Sequence, residues 1–185
     1  MKIGVIADTH IPARQAALPE ALKRAFAGVD VILHAGDICS LDVLRELQNQ
    51  FTITMAVCGE GDDADVRRLL ESQKVVELAK RRIGMVHGGP AEPANWWRRL
   101  LRLAAPLGDD VVRQTVMRAF AGEHGRAPEC IVYGHTHRPY VRRLDGVLLF
   151  NPGAAAPFPA GRSSVGILEI AEGAVDGRII YLDEV

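Results

Sequence analysis

The chain has 185 residues, of which 48% are hydrophobic and 24% are charged, and its formal net charge is −1. This length suits a single domain with a sizeable core, and the near-neutral charge argues against bulk nucleic-acid binding, which needs a basic surface. The three cysteines are widely spaced and form no CxxC pair, so we expect reduced thiols and not a disulfide framework.

The apolar runs of the chain are short. None approaches the length of a membrane span, and Asp8 interrupts the apolar residues near the N-terminus, so neither a transmembrane helix nor a signal peptide is predicted. We therefore expect a cytoplasmic protein that does not bind membranes.

The first two-thirds of the chain alternates apolar runs with helical patterns. Three runs are typical of buried strands: residues 2–7, 29–35 and 52–58. Helical patterns follow them near residues 20–27, over residues 41–48 and around Val66, Leu69 and Leu70. Ser40 can cap the second helix and Asp62 or Asp63 the third. The alternation predicts a sheet with crossover helices on its faces.

Residues 90–128 interrupt this alternation with a predicted helical hairpin. Its first helix carries Trp96 and Trp97, and its second begins at Asp109 or Asp110. Both Trp residues share an apolar face, so packing on the body is favoured over nucleotide stacking. A lid over the site and a homo-oligomer interface through residues 94–122 are further alternatives.

The last third of the chain changes to a strand pattern. Tyr140–Leu144 and Val147–Phe150 flank an Asp-Gly turn and predict a β-hairpin, and residues 164–170 and 178–182 predict two further strands. Because no repeat or linker is visible, residues 1–185 are interpreted as one domain with the helical hairpin as an insertion.

Five apolar runs end on residues that can bind a metal ion. These residues are Asp8 and His10, then Asp37, then Glu60, then His87 after residues 82–86, and finally His135 and His137 after residues 130–133. In open α/β sheets, ligands gather beyond the carboxyl ends of the strands, so these side chains are expected to converge. Carboxylate and imidazole donors suit divalent Mn, Fe or Zn.

The order of the motifs is more informative than any one of them. The series Asp-x-His, Gly-Asp, Gly-x-x-Asp, His-Gly, Gly-His-x-His and Asn151-Pro152-Gly153 resembles that of the calcineurin-like metallophosphoesterases, in particular the small phosphodiesterases of the YfcE type. The resemblance covers the chain apart from the hairpin at 90–128. It implies a four-layer αββα sandwich, in which two mixed sheets are flanked by helices, and a metal-dependent phosphodiesterase activity.

The resemblance also implies a ligand set for two divalent ions, most readily Mn, with Ni, Co, Fe or Zn as alternatives. The first ion would be held by Asp8, His10 and His137, the second by His87 and His135, and Asp37 would bridge them. Glu60 stands where the family has an Asn ligand of the second metal. A metal-bridging hydroxide would attack the phosphorus of a small phosphoester.

Two residues depart from the family pattern. Glu60 lowers the charge of the loaded site from about +2 to about +1. Gly61 stands where many relatives carry the His that protonates the leaving group, so we expect a slow enzyme that favours activated esters. Asp62 is a candidate catalytic acid but is equally well explained as a helix cap. Arg162 is a candidate phosphate contact, although a solvated loop Arg explains it better.

Two alternatives to a phosphodiesterase stay open. One is a phosphomonoesterase, which pocket charge and not motif would distinguish. The other is a protein-binding scaffold that has lost catalysis, since both departures fall in one motif. The six other ligands are intact, and this favours an enzyme.

Overall fold

Ten strands form two five-stranded sheets in the computed structural model, which describes residues 1–88, 109–121, 127–158 and 161–185. The strands are β1 (Lys2–Ile6), β2 (Val31–His34), β3 (Thr54–Ala56), β4 (Gln73–Leu78), β5 (Arg81–Val86), β6 (Cys130–Val132), β7 (Tyr140–Leu144), β8 (Val147–Asn151), β9 (Ser164–Ala171) and β10 (Ala174–Tyr181). The described helices are α1 (Ala21–Ala25), α2 (Leu41–Gln50), α3 (Ala64–Leu69) and α4 (Asp109–Ala119).

Both sheets are mixed. The first has the order β10-β9-β1-β2-β3, with β1, β2 and β3 parallel and β9 antiparallel to β1. The second has the order β4-β5-β6-β8-β7, with β5, β6 and β8 parallel and an antiparallel strand at each edge. Each sheet therefore contains three neighbouring parallel strands whose carboxyl ends lie on the same side, and the loops that follow those strands are neighbours.

Three clusters of buried side chains define the layers. The central cluster joins the two sheets and includes Val5, Leu33, Met85, Val132 and Phe150. A second cluster packs α1 and α2 on the first sheet, and a third packs α4 on the second. This arrangement confirms the predicted four-layer αββα sandwich.

Helix boundaries agree with the predicted caps. Ser40 caps α2, since its side chain accepts a hydrogen bond from the Asp42 N–H at 3.2 Å. Asp63, and not Asp62, caps α3 by accepting from the Val66 N–H at 2.8 Å. The second helix of the predicted hairpin begins at Asp109, as expected, whereas Trp96 and Trp97 lie outside the described residues.

Three features of the fold differ from the sequence predictions. Strand β4 was not predicted, and β10 begins at Ala174 instead of Arg178. Leu69 belongs to the apolar pattern that predicts its helix but is 66% exposed. Among the described residues, no helix has the length and apolar character needed to span a bilayer.

Strand glycines make room for phenylalanine rings. A Cβ at Gly4 would come within 3.2 Å of the Phe26 ring, and one at Gly177 within 2.5 Å of the Phe150 ring. A Cβ at Gly166 would overlap Phe150 directly. Phe150 is fully buried between the sheets, so these glycines are packing requirements of the core.

We expect Gly166→Ala to lower the free energy of unfolding by about 1–3 kcal/mol, because the Phe150 ring must move within a close-packed core. Gly161→Ala is the matched control: among the described residues, the nearest atom to a Cβ there is the His137 carbonyl oxygen at 4.0 Å. The control should change stability by less than about 1 kcal/mol. Urea unfolding of both variants checks this, and equal stabilities would contradict it.

Candidate metal centre

All seven side chains predicted to bind metal meet where β1, β2, β3, β5 and β6 end. Asp8, His10 and His137 form one group, in which one ligand atom of each lies within 4.8 Å of the others. A second group consists of Glu60, His87 and His135, and a third joins Asp8, Asp37 and His87. The three groups share members, so the donors form one continuous site.

Asp37 lies between the first two groups. Its Oδ2 is 3.6 Å from His10 Nε2, and its Oδ1 is 3.4 Å from His87 Nε2. One carboxylate therefore faces a histidine of each group. This is the position that a bridging ligand between two cations requires.

Glu60 contacts both histidines of the second group. Its Oε1 is 2.6 Å from His135 Nδ1, and its Oε2 is 3.3 Å from His87 Nε2. Burial favours the neutral form of Glu60, but its contacts with the His135 and His87 imidazoles outweigh burial and lower its pKa overall. The Glu60 side chain therefore contacts both histidines of the second group, as a ligand of a metal held by those histidines would.

Left-handed backbone aims the ligands at the site. Five of the seven candidates are non-glycine residues with positive φ: Asp8, His10, Asp37, His135 and His137, at 45–69°. Such conformations cost about 1–3 kcal/mol each and concentrate at functional sites. The chain turns at each of these residues, directly after the strands end, and the ligand pairs Asp8/His10 and His135/His137 lie in these turns.

The loop after β3 passes close to Asp37. The Gly61 N–H donates to Asp37 Oδ1 at 2.7 Å, and a Cβ at Gly59 would overlap that oxygen. A Cβ at Gly61 would lie 3.0 Å from the Asp37 carboxyl group. A His at this position would therefore crowd Asp37 unless the loop moved.

Outer partners orient the imidazoles. His87 Nδ1 is 2.8 Å from the Ala35 carbonyl oxygen, so a proton on Nδ1 leaves Nε2 to face the site. His10 Nδ1 is 3.6 Å from Cys39 Sγ. Burial raises the pKa of the Cys39 thiol to about 12, so the sulfur stays neutral beside His10.

Asn151 holds the loop that carries His135 and His137. Its Nδ2 donates to the Gly134 carbonyl oxygen at 2.8 Å and to Thr136 Oγ1 at 3.1 Å, and its Oδ1 accepts from the Gly153 N–H at 2.9 Å. Gly153 has a positive φ of 81°, so the predicted tight turn is present. Asn151 is fully buried and acts on the ligands through the backbone.

Two further candidates make other contacts. Asp62 accepts hydrogen bonds from the Cys39 and Gly59 N–H groups, each at 2.7 Å, and thereby joins the loops after β2 and β3. The Arg162 guanidinium binds Asp183 and Glu184 and lies 4.1 Å above the Tyr181 ring centroid. Arg162 lines a groove next to His137, but its charge is paired with these two carboxylates.

Sequence patterns did not reveal Phe158 or Arg14. The Phe158 ring centroid is 3.7 Å from that of His137 and 5.7 Å from that of His10, and the Arg14 guanidinium lies 4.1 Å from the Phe158 centroid. The two residues lie far apart in the chain and have no motif in common. The only available signal was an aromatic residue soon after the Asn151 turn.

The donor set fits divalent cations. Asp8 Oδ1, His10 Nε2 and His87 Nε2 are buried and make no hydrogen bond in the part of the chain that the structure describes. Buried polar atoms without partners are costly, and cations would satisfy all three. Mixed carboxylate and imidazole donors are those that Mn, Fe, Co, Ni and Zn accept.

Comparison with known proteins agrees with this chemistry. A model of the calcineurin-like phosphoesterase superfamily domain matches residues 1–173. A probable metallophosphoesterase of Methanothermobacter thermautotrophicus is 34% identical over 181 residues, which cover 97% of this chain and 92% of that protein. A phosphodiesterase of Methanocaldococcus jannaschii is 25% identical over 91% of this chain and 93% of its own length.

A solved structure has the same fold. Vps29 of Entamoeba histolytica, complexed with Zn²⁺, matches with a TM-score of 0.67 and 22% identity, and covers 98% of this chain and 99% of that one. At this identity the likeness concerns the fold alone. Together, these matches confirm the family that the order of motifs resembles.

His34 is a buried histidine beneath the site that makes the stability of the fold depend on pH. It is fully buried and accepts from the Gly36 N–H at Nδ1, with Thr9 Oγ1 at 3.2 Å from Nε2. Burial, aided by the neighbouring His87, lowers its pKa to about 3. The folded protein therefore keeps His34 neutral at pH values where the unfolded chain protonates it.

Lowering the pH from 7 to 5 should reduce the free energy of unfolding by about 2 kcal/mol through His34 alone. The reason is that His34 becomes protonated in the unfolded chain below about pH 6.5 but stays neutral in the folded protein. The loss should continue to about pH 3, where the folded protein is also protonated. Urea titrations in EDTA should show a shallower pH dependence for His34→Asn, which keeps an acceptor for the Gly36 N–H. Parallel pH curves for the two proteins would contradict this.

Proposed function

The chain belongs to the calcineurin-like phosphoesterase superfamily and is a metallophosphoesterase, and from this premise we propose that it is a dinuclear-metal phosphodiesterase for small substrates. The observation that carries the proposal is the pair of donor groups with Asp37 between them. The phosphodiesterase of M. jannaschii among its relatives supports the diester preference.

The proposed ligand assignment follows the groups. Asp8, His10 and His137 hold one metal, and Glu60, His87 and His135 hold the second, with Asp37 bridging. Mn²⁺ is the metal we propose, with Ni²⁺, Co²⁺, Fe²⁺ and Zn²⁺ as alternatives that the same donors accept. Bound there, two divalent ions supply Lewis-acid activation of a phosphoryl oxygen and of a water molecule.

The charges of the chain's own residues favour a diester. Asp8, Asp37 and Glu60 contribute three negative charges against four from two divalent ions, which leaves a net charge of about +1. A phosphodiester carries one negative charge and a phosphomonoester up to two near neutral pH. Compared with a site of about +2, this smaller charge reduces the attraction for a dianion more than for a monoanion, and so shifts the preference towards the diester.

The loop after β3 offers no imidazole for the leaving group. Gly61 occupies the position next to Asp37, and its N–H is used by Asp37 Oδ1. Proton transfer to a poor leaving group would contribute about 10²–10⁴-fold to the rate where a positioned acid exists. Without that acid, aryl esters should be hydrolysed much faster than alkyl esters.

A protein-binding scaffold is the second candidate. The zinc complex of the Entamoeba Vps29 has this fold, so bound metal alone does not separate the two functions. The full set of donors for two ions, with Asp37 between the groups, favours the enzyme, because a scaffold that has lost catalysis has no need to keep a dinuclear site. Turnover is the measurement that distinguishes them.

We expect metal-stripped protein to hydrolyse bis-p-nitrophenyl phosphate when Mn²⁺ is added, with a rate that saturates in metal. His135→Ala should lower kcat/KM by roughly 100-fold or more, because it removes a ligand of the second metal. Lys23→Ala is the control, since Lys23 is exposed and pairs with Glu20 on α1. Absence of turnover with Mn²⁺, Ni²⁺, Co²⁺, Fe²⁺ and Zn²⁺ in folded protein would favour the scaffold.

Glu60→Gln tests the charge argument. It should weaken binding of the second metal by about tenfold, since a carboxylate becomes a neutral amide. With excess metal, the kcat/KM for p-nitrophenyl phosphate relative to the diester should rise by about tenfold, because the site gains one positive charge. Glu60→Asp keeps the charge and serves as the control. If the two variants change the substrate ratio equally, length and not charge determines it.

A further inference from the structure

A groove of about 750 Å³ adjoins the metal centre at His137. Its walls include His137, Pro139, Phe158, Gly161, Arg162 and Tyr181. His137 thus belongs both to a metal-binding group and to the groove. A substrate phosphate at the metals would therefore lie beside this groove.

The groove is lined mainly by carbon. Phe158 and Tyr181 supply aromatic rings, and Pro139 and Gly161 supply aliphatic and backbone surface. Arg138 also lines it and is exposed. Such a lining favours an uncharged organic group, since hydrophobic and aromatic surface with a few polar groups is typical of small-molecule sites.

Arg162 is held as part of the wall. Its Nη2 is 2.6 Å from Glu184 Oε1, and it also binds both carboxylate oxygens of Asp183. Two acidic partners balance its charge, and the Tyr181 ring packs against its face at 4.1 Å. The groove therefore does not use Arg162 as an open phosphate-binding cation, which disfavours a second phosphate in this position.

Phe158 connects the groove to the metal centre. Its ring centroid lies 3.7 Å from that of His137, and the Arg14 guanidinium lies 4.1 Å from the Phe158 centroid. Phe158 therefore lines the groove and also supports His137. An organic group in the groove would contact a ring that is already held in place, with little ordering cost.

We infer that this groove binds one organic ester group of the substrate, an uncharged apolar or planar group about the size of a phenyl ring or larger. The inference rests on the proposed function, because the phosphate must lie at the metals for the ester group to reach the groove. It specifies the substrate as a diester with at least one bulky, uncharged arm.

Gly161 provides a way to fill the groove without touching a ligand side chain. In the part of the chain that the structure describes, the nearest atom to a Cβ there is the His137 carbonyl oxygen at 4.0 Å, and the backbone is not left-handed. Gly161→Trp should place an indole in the groove, whereas Gly161→Ala should leave it open. Both variants keep all seven metal-binding candidates.

The test compares phenylphosphonate with methylphosphonate, which share the metal-binding group and differ in the arm. Calorimetry with Mn²⁺-loaded wild-type protein should show phenylphosphonate binding at least tenfold tighter. Gly161→Trp should bring the ratio of dissociation constants close to one with methylphosphonate affinity unchanged, and Gly161→Ala should keep the wild-type ratio. A ratio near one in wild type, or an equal ratio in the Trp variant, would overturn the inference.

Turnover of bis-p-nitrophenyl phosphate separates this inference from the proposed function. Gly161→Trp should raise KM by about tenfold and leave the metal dependence unchanged. An active enzyme with an unchanged KM and an unchanged phosphonate ratio would retain the proposed function and reject the groove. An inactive wild-type protein that still prefers phenylphosphonate, and loses that preference in Gly161→Trp, would support the groove and reject the enzyme.

Discussion

The structure depends on buried carboxylates and imidazoles that cannot satisfy one another. Asp8 is fully buried and Asp37 is 4% exposed, and buried charges are costly unless they are paired. A protonated His87 can pair with Asp37, and burial of His87 is outweighed by Asp37 and Glu60, which raise its pKa. Cations can take the place of that proton and satisfy the buried atoms of Asp8 and His10 as well, so metal affinity and folding are coupled.

Each sheet carries one buried side chain that braces its ligand loops. In the first sheet, Asp62 accepts from backbone N–H groups of the loops after β2 and β3, which carry Asp37 and Glu60. In the second, Asn151 holds the loop of His135 and His137 through backbone and Thr136 contacts. These hydrogen bonds help to hold the ligand residues in their left-handed conformations. The positions of the ligands are therefore fixed by the surrounding fold and not by the ligands themselves.

The sequence predicted those features that have a local signal. Buried strands, the Ser40 cap and the convergence of ligands at strand ends depend on short apolar runs and on parallel pairing, and both can be read from the chain. Strand β4 was missed because it joins β5 through Ala79 and Lys80, which have positive φ without the Gly or Asn that usually marks such a turn. Phe158 and Arg14 were missed because their contacts join distant loops.

The departures at Glu60 and Gly61 are consistent with each other in this fold. Glu60 spans His135 and His87, and this brings the following residue so close to Asp37 that even a Cβ would lie 3.0 Å from its carboxyl group. The loop thus presents a third carboxylate and a backbone N–H to the site, and an imidazole at position 61 would crowd Asp37. An enzyme built this way relies on the leaving group's own stability and on binding energy from the rest of the substrate. A carbon-lined groove beside His137 is the kind of feature from which that binding energy can come.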